Sequence, residues 1–108
     1  MNDLDRKLAE FMGYKRLICP TNTDGTIAAV YIDHITTQER WQPSENIEQA
    51  MMVVEKLISE KNAAFDISNS TFADKRIEWS CEIDGYLYGN SNSLPMAICL
   101  AAIQLEAT

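Results

Sequence analysis

The residues able to do chemistry in this chain are few and scattered. There is one histidine, His34, and it falls in a polar stretch over residues 33–43. A catalytic base needs a nucleophile or an orienting partner. The sequence ties no Ser, Cys or Asp to His34, and neither a triad nor a dyad is indicated. The three cysteines, Cys19, Cys81 and Cys99, are widely spaced and form no CxxC pair. They suggest neither a zinc site nor a redox motif. Asn22-Thr23-Asp24-Gly25 resembles a calcium loop only in part, because the alternating ligands and the closing Glu are missing. The four glycines form neither GxGxxG nor GxxxxGK, so a common phosphate-cradling loop is absent. The expectation is a chain with no metal, no cofactor and no enzymatic activity.

Aromatic and polar residues remain as candidates for binding. Arg40 and Trp41 stand together in the 33–43 loop, where Trp41 would either cover the core edge or offer a stacking wall. Tyr86 and Tyr88 lie two apart on one strand, either packed across the sheet or presented to solvent. Asn90 and Asn92, with Ser91 between them, precede the last helix and could supply amides to a ligand. Arg40, Trp41, Tyr86, Tyr88, Asn90 and Asn92 are therefore the candidate ligand-binding set. Small ligands are commonly held by aromatics and a few placed polar groups.

These residues need elements to position them. Leu4, Leu8, Phe11 and Met12 repeat at helical spacing over 3–12, with Asn2 or Asp3 as cap and Gly13 as a C-terminal stop. Residues 14–19 and 26–32 read as a first strand pair across a long turn. Ser44 is a plausible cap for a helix over 45–61, whose inner face is Ile47, Ala50, Met51, Val54, Leu57 and Ile58. A short strand is expected over 63–68 and a loop over 69–76. Ile77, Trp79, Cys81 and Ile83 then alternate with Glu78, Ser80 and Glu82, which is a half-buried strand. Asp84-Gly85 signals a type I′ hairpin turn into Tyr86-Leu87-Tyr88, with Gly89 at its end. Ser93 and Pro95 open a last helix over 94–106 that is apolar on nearly every side. The order is α-β-β-α-β-β-β-α, a single α+β domain over 1–108 with a mostly antiparallel sheet. Helices on one face of the sheet and helices on both are equally open.

Bulk properties narrow the partners. The 108 residues are 46% apolar and 23% charged, as a folded domain should be. The net charge of −7 disfavours a nucleic-acid backbone and an anionic membrane surface. No signal peptide and no bilayer-length apolar run is visible, and free cysteines suit a reducing compartment. A cytoplasmic protein is expected.

At the last helix the sequence becomes familiar. Tyr88-Gly89, then Ser93-Leu94-Pro95-Met96-Ala97-Ile98-Cys99-Leu100-Ala101-Ala102, resembles the C-terminal signature of the phage ABA-sandwich domain family. Leu4 to Tyr14 resembles its N-terminal helix, and Trp41-Gln42-Pro43-Ser44 with Ala50 to Leu57 resembles its middle. Residues 15–40 show no shared motif. The resemblance implies a small phage or prophage protein with a sheet between helices and no transferable catalytic residues. Together with the small size and the missing catalytic constellation, it points to a non-enzymatic binding protein, used in the host cytoplasm for counter-defence. The partner would be a small nucleotide-like signal or a host protein. The alternative is an accessory module of a phage assembly that forms a homo-oligomer through the apolar last helix. An enzyme acting on a small substrate is the third reading.

Overall fold

The computed structural model describes residues 2–107, with side chains for all of these except Leu87, Glu106 and Ala107. Helix α1 (Asn2–Phe11) is followed by strands β1 (Leu17–Ile18), β2 (Tyr31–Asp33) and β3 (Gln38–Arg40). Helix α2 (Ile47–Lys61) leads into β4 (Phe65–Thr71), β5 (Ile77–Ile83), β6 (Tyr86–Ser91) and helix α3 (Leu94–Ala107). Two antiparallel three-stranded sheets result, β1-β2-β3 and β4-β5-β6. The α+β class expected from the sequence is found, with one strand more than the pattern suggests.

The added strand is β3, inside the 33–43 segment expected to be loop. A polar sequence forms a strand here because backbone pairing satisfies it: Tyr31 faces Arg40 and Asp33 faces Gln38. All three β3 residues are exposed, so no apolar alternation marks it. Likewise β4 runs on to Thr71, through residues expected to be loop, because the ladder to β5 continues from Phe65↔Ile83 to Thr71↔Ile77. Helix α2 begins two residues later than expected. Its cap is Asn46, whose side chain accepts from the Gln49 amide at 3.1 Å, and not Ser44.

The Asp84-Gly85 turn is present as read, with φ of 55° and 87° at its two residues. Beyond it the ladder shifts: Glu82 faces Leu87 while Cys81 faces Gly89, so Tyr88 is an extra residue on β6. The strand then continues through Gly89 to Ser91 and does not stop there.

Helix α3 packs on β5 and β6 and also against α1 and α2. Ala97, Ile98, Cys99, Ala101 and Ala102 are all fully buried. This is why its sequence is apolar all round. Leu4, Leu8, Val30, Ile32, Trp41, Val53, Leu57, Cys81 and Ile83 join it in one core. No α3 side chain is among the large apolar groups exposed in the described residues, while Leu94, Met96, Leu100, Ile103 and Leu105 are partly buried. Ile47, Met51 and Ile58, expected on the inner face of α2, are at least a third exposed, and Val53 takes a buried place instead.

Candidate functional site

Trp41 anchors the most enclosed region near the candidate residues. Its side chain is 1% exposed and its indole N–H donates to the Asp5 carbonyl oxygen at 2.9 Å. Tyr14 meets the ring edge-on at 5.3 Å. Of the two roles open to Trp41 in the sequence, the structure places it under the surface as a core residue. Its backbone N–H donates to the Val30 carbonyl, which prolongs the pairing of β3 with the chain before β2.

The segment after Trp41 is tied down by two buried side chains. Asp5 accepts from the Ser44 backbone N–H at 3.0 Å and from the Ser44 hydroxyl at 2.9 Å. Gln49 accepts from the Gln42 N–H at 2.7 Å and donates to the Arg40 carbonyl at 2.8 Å. Buried polar groups need such partners, since an unpaired one costs about 1–3 kcal/mol. These contacts lock 40–44 between α1 and α2.

The lock borders a polar cavity of about 220 Å³, lined by Asn2, Asp5, Arg40, Ser44, Glu45 and Met96. Burial pushes the Asp5 carboxyl above its ordinary value, and the two Ser44 hydrogen bonds oppose that rise. Arg40 and Glu45 are exposed at the rim. The cavity thus presents carboxylate acceptors beside one guanidinium. It suits a ligand with N–H or O–H donors at one end and an anionic group at the other.

A larger groove of about 520 Å³ lies nearby, lined by Asn2, Asp3, Arg6, Gly25, Thr26 and Ile27. It is more open, and several of its polar groups are already engaged. Arg6 bonds Asp3 at 2.9 Å and Glu10 at 3.1 Å, and the Asn2 amide donates to the Ile27 carbonyl at 2.8 Å.

The remaining candidates sit elsewhere. Tyr86 is 68% exposed at the hairpin turn, and its ring meets that of half-buried Tyr88 at 6.4 Å in an edge-on contact. Asn90 and Asn92 are exposed at the far end of β6. Strand geometry separates Tyr86 from Asn92 by about 15–20 Å. The six residues therefore do not converge: Arg40 alone lines the polar cavity, Trp41 lies beneath it, and the tyrosines and asparagines occupy two ends of one strand.

Asp5 and Gln49 are residues the sequence did not single out, and Ser44 was read only as a helix cap. The one signal was that Asp5 shares a helix side with Ala9 at i+4, so a buried small residue marks the face on which Asp5 lies.

Other reactive groups are quiet. His34 is exposed, 3.2 Å from the Glu39 carboxylate across the β2–β3 turn. Burial pushes the Cys81 thiol up to about 11 and the Cys99 thiol further still. Among the described residues no cluster of three His, Cys, Asp or Glu could hold a metal ion. No described helix is long and apolar enough to cross a membrane.

Helices layered with antiparallel sheets around one core define a small α+β sandwich. The model of the phage ABA sandwich domain matches residues 6–103, nearly the whole chain, and the protein belongs to that family of small phage proteins. No curated protein and no solved structure matches it.

Proposed function

We propose that this phage protein is a non-enzymatic binding protein that holds a small, donor-rich ligand of nucleoside or nucleotide type in the polar cavity beside Asp5. Taking such a signal out of circulation in the host cytoplasm would serve counter-defence. One observation carries the reading: a buried carboxylate, fixed by Ser44, lines a cavity with Arg40 and Glu45 at its mouth. Asp5 and Glu45 would accept from base amino or ribose hydroxyl groups, and Arg40 would meet a phosphate. The cavity is smaller than most pockets for whole ligands, so it suits a base or a ribose with the rest of the molecule outside.

The test is native mass spectrometry of protein recovered from an infected host, followed by calorimetry with a panel of nucleosides and nucleotides. A discrete bound mass is expected in the unaltered protein, and Arg40→Ala and Glu45→Gln should weaken binding about tenfold or more while leaving the fold intact. An apo mass together with no heat from any member of the panel would remove the reading and favour inhibition of a host protein.

A further inference from the structure

Strand β4 is an unprotected edge. It pairs with β5 alone, and α3 makes its main sheet contacts with β5 and β6. Its seven residues form a regular ladder with no bulge, and they include no proline and no lysine. Natural sheets usually blunt such an edge with one of these devices. The other edge, β6, carries the extra residue Tyr88 and the glycine beside it.

The hydrogen bonds say which backbone groups are free. The Phe72 N–H donates to the Arg76 carbonyl and the Asp84 N–H to the Ala64 carbonyl, at the two ends of the same register. Bonded pairs alternate in an antiparallel ladder, so Asp66, Ser68 and Ser70 bond inward to β5. Phe65, Ile67, Asn69 and Thr71 therefore turn their N–H and C=O groups to the open edge.

From this we infer that two copies of the chain join through β4, antiparallel and centred on Ser68, into one continuous six-stranded sheet. In that register every outward residue meets an outward residue: Phe65 faces the partner's Thr71, and Ile67 faces the partner's Asn69. About eight backbone hydrogen bonds would form. The side chains are compatible as well. Asp66, the only charged residue of β4, faces Ser70 and not a second acid, so no like charges oppose. The two-fold axis stands perpendicular to the sheet and places both α3 helices on the same face. Between them the two β4 strands would form a floor on which Ile67, 40% exposed in one chain, lies diagonally from its counterpart. Closed two-fold pairing also uses up both β4 edges and leaves only the two irregular β6 edges outside, unlike a heterologous contact.

The test is light scattering on the full chain with four variants in a Cys19→Ser background, so that no native partly exposed thiol interferes. The unaltered chain should elute at twice its monomer mass. Asn69→Pro removes an outward donor without touching the β4–β5 ladder, and Ile67→Lys adds an edge charge. Each should give a monomer with an unchanged circular dichroism spectrum. Ser68→Cys should form an intermolecular disulfide on mild oxidation, because facing residues of a non-bonded pair have Cα atoms about 4.5 Å apart. Asn69→Cys should cross-link far less. A strict monomer at all concentrations overturns the proposal. So does a dimer that survives both edge variants and fails to cross-link at position 68.

Discussion

Replacing Gly89 by alanine adds a single methyl group at the closest approach of β6 to α3. A Cβ built there would run into the Ala97 carbonyl oxygen, lie 2.7 Å from the Ala101 nitrogen and 3.1 Å from the Ala101 Cβ. Ordinary carbon contacts lie near 3.5–4.0 Å. The first two obstacles are helix backbone, so no rotamer change relieves them, and α3 must retreat by roughly 1 Å. That retreat loosens a helix whose inner residues are fully buried against the sheet, α1 and α2. Overpacking of this kind costs about 1–3 kcal/mol, and backbone obstacles place it at or above the upper end. A domain of this size holds only about 5–15 kcal/mol, and each kcal/mol moves the melting temperature by about 4–8 °C. Gly89→Ala should therefore lower the melting temperature by roughly 12 °C or more, read by circular dichroism or calorimetry. Gly25→Ala is the control: its φ of 88° is strained for alanine but the space is empty, so about 1–2 kcal/mol is expected. Adding Ala101→Gly to Gly89→Ala should recover less than half of the loss, since the Ala97 carbonyl remains. A Gly89→Ala protein that melts within about 2 °C of the parent would refute the close-packing argument.

Four further outcomes are expected. The raised Asp5 carboxyl means that its stabilising contribution is present below its ordinary value of 3.8 and is lost as pH rises through the higher folded value. Asp5→Asn should thus gain stability relative to the parent as pH is raised from about 3.5 to 7, and a pH-independent difference in melting temperature would contradict this. Gln49→Ala strips the partners from the Gln42 N–H and the Arg40 carbonyl and should cost about 1–3 kcal/mol in urea titrations. Asn46→Ala, which removes a helix cap, should cost about 1 kcal/mol, and Ser44→Ala should act through Asp5 and not through α2. In thiol labelling of the folded protein, Cys19 should react first and the buried Cys81 and Cys99 only on unfolding.

What could be read from the residues follows how local each signal is. The strand from Ile77 to Ile83, the Asp84-Gly85 turn and the start of α3 after Ser93 depend on neighbours in the chain and are found where expected. The dry face of that strand is fully buried only at Cys81 and Ile83, with Trp79 half-buried and Ile77 exposed. Strand β3 escaped because its residues are solvent-exposed and polar, so its pairing with β2 leaves no hydrophobic trace. Tyr86 and Tyr88 were read on a strict two-residue period that the shift after Cys81 interrupts. The cavity was invisible for a different reason. Asp5 and Ser44 are 39 residues apart, and no spacing rule connects them. Arg40, singled out for its company with Trp41, lines the cavity, whereas Trp41 turns inward.

The central place of α3 bears on how the chain acquires its structure during synthesis. The helix follows both sheets and the other two helices in sequence, yet each of α1, α2, β5 and β6 rests against it. Until residues near Ile103 leave the ribosome, α1, α2, β5 and β6 lack the helix that each of them packs against. Their apolar sides must stay solvated or transiently guarded in that interval. Once α3 emerges, the run from Phe65 to Ala107 can assemble from contacts between consecutive elements, and such short-range closure is fast. A nascent chain stalled at residue 92 should therefore be sensitive to protease along its whole length, and release of α3 should protect it in a single step.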